Sequence, residues 1–389
     1  LVQEKGMKIL PKINLSKKNL LTKKTILITA GGTGGHIFPA ECLAWEFYKI
    51  GWDIVFISDK RGSKFVNNLP SDIKIFIQDV VSLNFRNPFK LLYSIYMLLK
   101  GFFYSSYLLI IYKPCVVVGF GGYPTFPTIL AAKIFRFKVV LHEGNAVLGR
   151  VNKFFSKKAN AVACGFWPTI APSGSKLFFT GNPLRNNILL KETKLFKLPR
   201  NGKLNLVVIG GSQGANFFSK IVPVSVSKLS TSLKKRIYIF HQARSSDCSK
   251  LKKEYQKLGI KSEVKNFFYN IENIFSDAHL IIARAGASTI SEVLFFGKPL
   301  ILIPIRNSIF DHQRLNANIL SVKEAAFCID EKEYTSDYLA NKISKILLDN
   351  KLANKLSSNA KNLAVPEASL NLKEIVLKIV NGDIIEFKS

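Results

Sequence analysis

The stretch ILITAGGTGGHIFPAECLAWEF, residues Ile26 to Phe47, sets an apolar run, four glycines and a histidine in front of a segment with helical periodicity. Ala40, Leu43, Ala44 and Phe47 recur at the spacing that gives a helix one buried face. Strand, glycine turn and helix in that order form the opening unit of a parallel α/β sheet. The unit returns further along the chain. Leu204–Ile209 runs into GGSQGA and a helix with Phe218, Ile221 and Val222 inward. Leu280–Ala283 runs into RAGAST and a helix ending at Phe296, where Gly297 is the natural left-handed cap; Pro299 and the strand LILIP follow. The openings at GGTGGH and GGSQGA, far apart in the chain, predict two doubly wound domains of Rossmann type. Their boundary is expected near GNPLR, giving a basic extension over 1–24, domains over 25–180 and 181–365, and a final helix within 366–389.

Composition narrows the class. Hydrophobic residues make up 48% of the 389 and charged residues 21%, the balance of a folded protein with a large core. The five cysteines show no CxxC spacing and read as reduced thiols. A formal net charge of +30 suits nucleic acid, an anionic membrane or a polyanionic substrate. The lysines are dispersed, with no RNP motif and no paired zinc ligands, so a membrane or phosphate partner is favoured over nucleic acid. The N-terminal residues lack the apolar core of a secretory signal and read as a basic extension able to touch anionic lipid.

Leu91–Tyr112 is long enough to span a bilayer. Lys100 at its centre costs about 2.5–3.5 kcal/mol there, against about 0.3–0.6 returned by each leucine-class residue. Basic residues flank both ends. The segment is therefore expected to be one or two helices packed on a sheet and broken near Gly101, with apolar surface left for the lipid interface.

A glycine turn at a helix start offers unpaired N–H groups and the positive dipole end, a ready anion site; a tight turn that serves packing alone is the alternative. Known fingerprints fit poorly. Ile37 stands where GxGxxG wants its last glycine, and no Walker motif occurs. Asp59, near the end of the second strand, leaves a dinucleotide site and hence an oxidoreductase open. His36 ends the first loop as a possible general base. LHEGN puts His142, Glu143 and Asn145 at the carboxyl edge of a sheet, where open α/β folds bind ligands. Ser212 and Gln213 lie in GGSQGA, and Arg284, Ser288, Thr289 and Glu292 surround another helix start; Glu292 could accept two ribose hydroxyls. With no Asp-x-Asp pair in the chain, a departing nucleotide diphosphate would be met by backbone donors and helix ends.

GGTGGHIFPA, GFGGYPTFP, LHEGN, GNPLR, GGSQGAN, RAGASTISE, GKPLILIP and DHQRLNA, in this order, resemble the MurG family of N-acetylglucosaminyltransferases over nearly the whole chain. The resemblance implies a GT-B fold, with the C-terminal helix crossing back to the first domain. It implies inverting transfer of N-acetylglucosamine from the UDP-sugar to the muramyl 4-hydroxyl of lipid I, giving lipid II, with no cofactor and no metal. By the same resemblance Phe268 meets uracil through its backbone, Glu292 holds ribose, and Ser212 with Ala287, Ser288 and Thr289 binds diphosphate. Arg185 and Gln313 face the nucleotide sugar. Thr33, Gly34, Gly35 and Asn145 reach from the first domain to the sugar and the acceptor diphosphate, and His36 is the base, with Tyr123, His142 and Glu143 nearby. Gly144 stands where the family usually has Gln, and FVNNLP lacks its usual acidic residue. The family's membrane patch coincides with the segment around Phe85–Tyr107, which places the enzyme peripherally on the cytoplasmic face of the inner membrane. Three rivals remain at this point: a related enzyme glycosylating diacylglycerol, the dinucleotide-dependent oxidoreductase that Asp59 leaves open, and a non-enzymatic nucleotide-sugar or nucleic-acid binder.

Overall fold

The computed structural model describes residues 23–66, 69–81, 87–306 and 308–384, without the side chains of Phe65, Ile309 and residues 211–215. Residues 1–22 of the basic extension, Phe85 and the middle of FVNNLP lie outside the described residues. The first sheet contains β1 (Thr25–Thr29), β2 (Asp53–Ser58), β3 (Lys74–Ile77), β4 (Val116–Gly119), β5 (Val139–Glu143), β6 (Ala161–Cys164) and β7 (Leu177–Phe179), in the order 3-2-1-4-5-6-7. The second contains β8 (Leu204–Ile209), β9 (Ile237–Gln242), β10 (Lys261–Lys265), β11 (Leu280–Ala283), β12 (Leu300–Leu302) and β13 (Phe327–Cys328), in the order 10-9-8-11-12-13. Every ladder is parallel. The central strands are buried on both faces and read as unbroken apolar runs, as parallel sheets require.

Chain order reverses between β1 and β4 in one sheet and between β8 and β11 in the other. Open α/β sheets bind ligands outside the carboxyl ends of strands at such switch points. The four strands there are those followed by GGTGGH, GFGGYPT, GGSQGA and RAGAST. The glycine loops thus mark both switch points.

Eight helices position the site: α1 (Gly34–Lys49), α2 (Pro88–Tyr112), α3 (Phe126–Ile134), α4 (Arg150–Phe155), α5 (Gly211–Ser227), α6 (Ala287–Phe296), α7 (His312–Val322) and α8 (Ala368–Asn381). Gly297 closes α6 at φ 58°, as the sequence predicts. The last helix, α8, returns to the first unit. Leu372, Ile375 and Val376 join the core that holds Ala40, Leu43 and Phe47, and Lys373 Nζ lies 3.3 Å from Glu46 Oε2. The crossing helix of a GT-B fold is therefore present.

The expected break at Gly101 does not occur: α2 is one helix of 25 residues. Gly101 is there for contact. A Cβ on it would stand 2.8 Å from Gln78 Nε2 and 3.2 Å from Pro127 Cγ, so the missing side chain lets α2 close on its neighbours. The packed flank carries small and polar residues, followed by Leu108 and Leu109 in the core. Ser105 Oγ donates to Gln78 Oε1 at 2.8 Å and lies 2.9 Å from Thr128 Oγ1. The outer flank is apolar, with Phe89 82%, Leu92 65% and Phe103 67% exposed. Among the described residues α2 is long and apolar enough to cross a membrane, yet its inner flank is already seated on protein.

Candidate active site

The first glycine loop is folded against its neighbours with little slack. Asp59, only 3% exposed, accepts Gly32 N–H at 2.8 Å and Gly62 N–H at 2.9 Å through Oδ1, and Arg61 Nε at 3.0 Å through Oδ2. Its carboxylate is occupied in holding the loop, so the dinucleotide reading loses its ribose acid. The GFGGYPT loop closes from the other side. Gly121 and Gly122 adopt φ 80° and 81°, where L side chains are rare. A Cβ on Gly122 would meet Gly31 O at 2.8 Å and His36 Nδ1 at 3.2 Å.

That packing fixes His36. Its Nδ1 sits 3.0 Å from Gly31 O. A carbonyl only accepts, so Nδ1 carries the proton of the neutral ring and Nε2 keeps the lone pair. The imidazole is partly exposed in the first turn of α1, beside N–H groups that no helical carbonyl reaches. Tyr123 follows on a short 3-10 turn, its ring stacked on Phe126 at 6.4 Å.

LHEGN divides into parts with different work. Glu143 is 4% exposed and fully engaged. Its Oε1 accepts the N–H and Nδ2 of Asn145 at 3.1 and 3.0 Å, and its Oε2 accepts Gly149 N–H at 2.8 Å and Asn152 Nδ2 at 3.0 Å. A carboxylate holding four donors shapes a loop. His142 is 2% exposed and lies under the Phe120 ring, so it presents almost no surface to the cleft.

Burial pushes the imidazole of His142 down to about 3, and those of His241 and His279 to about 3 and about 4, from an ordinary 6.5. All three are neutral in the folded chain and take up protons on unfolding below pH 6.5, so the unfolded state binds more protons there. Stability present above pH 6.5 is lost as the pH falls toward 4, by about 1.4 kcal/mol per pH unit for each group at most. Thermal melts at pH 7.5 and pH 5 are expected to differ by several degrees; coincident melts would mean that these rings already take up protons in the fold.

The second switch point faces the first. A Cβ on Gly35 would stand 3.8 Å from Ser288 Oγ, so the starts of α1 and α6 meet across the cleft. Gly286 caps α6 in extended conformation without a side-chain cap, leaving the first N–H groups over Ala287, Ser288 and Thr289. Glu292, one turn on, is 8% exposed, and its Oε1 takes Arg185 Nε at 2.9 Å and a terminal Arg185 nitrogen at 2.8 Å. Burial raises the Glu292 carboxyl and Arg185 opposes that rise. Gln313 Oε1 accepts Ile305 N–H at 3.0 Å, and Phe268 is buried against Phe240. The α5 backbone starts at the GGSQGA turn, but the side chains of Ser212 and Gln213 lie outside the described residues.

Arg284 stands directly after β11, where the sequence puts it, and its contacts there are with protein. It is 7% exposed, donates to the carbonyls of Ile303 and Pro304 at 2.9 and 3.1 Å, pairs with Glu331 and lies over the Phe217 and Phe218 rings. It braces the carboxyl edge of the second sheet through one terminal nitrogen.

Two asparagines do unforeseen work. Asn316 on α7 accepts Ala146 N–H at 2.8 Å and donates to Asn145 Oδ1 at 3.1 Å and Ala285 O at 3.0 Å, pinning LHEGN to the second unit. Asn182 donates to Gly144 O at 3.0 Å and to Ser291 Oγ at 3.1 Å. Both lie inside quoted motifs, DHQRLNA and GNPLR, and that was the only signal available.

Residues 26–164 match the glycosyltransferase family 28 N-terminal domain and residues 205–372 the family 28 C-terminal domain. The UDP-N-acetylglucosamine–N-acetylmuramyl-(pentapeptide) pyrophosphoryl-undecaprenol N-acetylglucosamine transferase of Chelativorans sp. (strain BNC1) is 38% identical over 369 residues, covering 94% of this chain and 98% of that protein. The protein of the same name from Sinorhizobium fredii is 36% identical over 366 residues, with the same coverage. Among solved structures, that of Acinetobacter baumannii MurG superposes with a TM-score of 0.72 at 26% identity, covering 91% of this chain and 99% of that one. Paired switch points, a crossing helix and this likeness over both halves agree: the chain belongs to the MurG family of UDP-N-acetylglucosamine-dependent glycosyltransferases.

Proposed function

We propose that the chain transfers N-acetylglucosamine from UDP-N-acetylglucosamine to the 4-hydroxyl of the muramyl sugar of lipid I, with inversion, forming lipid II for peptidoglycan. The observation that carries this reading is the meeting of two helix starts at Gly35 and Ser288 beside a histidine whose Nε2 lone pair is set by Gly31 O. Diphosphate charge suits the N–H groups of such helix starts. Nε2 would take the proton of the attacking hydroxyl as the bond to the anomeric carbon forms and UDP departs. On the donor side, Phe268 would meet uracil, Glu292 oriented by Arg185 would accept ribose hydroxyls, and Ser212, Gln213, Ala287, Ser288, Thr289 and Gln313 would surround the diphosphate and sugar. Thr33, Gly34, Gly35, Asn145 and Tyr123 would serve the acceptor.

Incubation of the protein with labelled UDP-N-acetylglucosamine and a short-chain lipid I analogue is expected to give the disaccharide product with or without a chelator. UDP binding without product would move the reaction to another acceptor.

The outer flank of α2 supports a peripheral seat on the cytoplasmic face of the inner membrane. Amphipathic surfaces of this kind lie in the lipid interface, and neighbouring cations add attraction to anionic headgroups. Phe89 and Phe103 stand clear of the protein. Burying each in lipid contributes about 1.5–3 kcal/mol, so Phe89→Glu with Phe103→Glu should lower sedimentation with anionic vesicles at least tenfold. Transfer to a water-soluble acceptor analogue should stay near wild type. Unchanged sedimentation would place the membrane contact elsewhere.

A further inference from the structure

Across the mouth of the cleft the two units touch through a ring and two cations. Phe310, in the loop after β12, lies under Arg150 at 6.0 Å and Lys153 at 5.3 Å, and both cations project from α4 of the first unit. They stand one turn apart on one helix face, where like charges repel unless something offsets them. No carboxylate among the described residues pairs with either. The adjacent acid, Asp311, is held by Arg314 of its own helix. The ring is 43% exposed, and Phe310 and Asp311 both take a left-handed backbone, at φ 53° and 55°, that L residues rarely adopt. The loop therefore holds this ring in place against local preference. The other side of the contact is equally fixed: Glu143 binds Gly149 N–H and Asn152 Nδ2, tying α4 rigidly to LHEGN.

We propose that Arg150 and Lys153, aligned by Phe310, form an anion subsite for the acceptor at the cleft mouth. The inference rests on the proposed lipid I reading. Such an acceptor carries anions in two places, the carboxylates of its peptide and its diphosphate, and a pair of guanidinium and ammonium groups suits either. Phe310 belongs to the donor-side unit and its cations to the acceptor-side unit, so the subsite is complete only when the units face each other as they do here. Acceptor binding would then favour this facing arrangement.

Steady-state kinetics of the full chain with a lipid I analogue bearing peptide and diphosphate test this. In the double variant Arg150→Ala with Lys153→Ala, acceptor KM is expected to rise about tenfold, with donor KM and kcat within about twofold. Its acceptor KM should also depend less steeply on salt than the wild type's. Phe310→Leu keeps apolar bulk without the ring quadrupole and should raise acceptor KM about threefold. If the peptide supplies the anion, amidating its carboxylates raises wild-type KM and leaves the double variant unmoved. If the diphosphate supplies it, amidation moves neither, and a monophosphate analogue raises wild-type KM while leaving the double variant unmoved. Turnover with an unshifted acceptor KM and salt slope in the double variant would overturn the subsite alone. A wild-type chain that binds UDP but never glycosylates the analogue would remove the lipid I reading and the subsite with it.

Discussion

His36→Ala is expected to lower kcat about 10²- to 10⁴-fold, the range a positioned general base contributes, while UDP affinity stays at the wild-type level. The asymmetry follows from geometry. His36 is anchored inside the first unit, by Gly31 O at 3.0 Å and against Gly121 and Gly122, and it supports no donor-side element. The same contact supplies a second arm. Gly122→Ala would drive a methyl to within 2.8 Å of Gly31 O at a φ of 81°. The carbonyl that fixes the tautomer would have to shift, and turnover should fall with Tyr123 and His36 both intact. Isothermal titration with UDP and single-turnover rates for the two variants check the pair. Turnover of His36→Ala within a factor of about two of wild type would take the residue out of the mechanism.

The strand–glycine–helix repeats were legible because each is local: β-branched runs, glycines at helix starts and a glycine at φ 58° after Phe296 all leave their mark within a few neighbours. Asn316 and Asn182 were invisible as fasteners for the opposite reason. Asn316 holds residues about 170 positions away, and no periodicity encodes a hydrogen bond across such a separation. Gly101 was misread because an interior glycine lowers helix propensity by about 1 kcal/mol, and the sequence alone does not reveal that Gln78 and Pro127 need the space. Arg284, Glu143 and His142 were placed correctly, at the carboxyl edges of their sheets. Their functions could not be read because a polar residue there serves a ligand or braces the edge, and only burial and partners separate the two. Four hydrogen bonds on Glu143 and aromatic rings on Arg284 decide for bracing.

That decision yields the second large effect. In Glu143→Gln, one of the two carboxylate oxygens becomes an NH₂ group and faces donors on either side: Asn145 N–H and Nδ2, or Gly149 N–H and Asn152 Nδ2. Two acceptor bonds are lost, and two donors, partly or fully buried, are left facing a third. Hydrogen bonds to a charged acceptor each contribute about 1.5–3 kcal/mol, and unmet buried donors add their desolvation, so a loss of stability of several kcal/mol is expected. Released LHEGN would also carry Asn145 and α4 away from the cleft, and a displacement of an ångström costs about 10²-fold in turnover. Two measurements then separate bracing from base catalysis. Bracing predicts a lowered melting temperature, a kcat reduced about 10²-fold and a pH–rate profile of unchanged shape, because the proton is still taken by His36. Base catalysis by Glu143 would leave the melt nearly in place and flatten the acidic limb of the profile. A Glu143→Gln protein with the wild-type melting temperature and a flattened acidic limb would return this carboxylate to the chemistry and reduce His36 to a wall of the site.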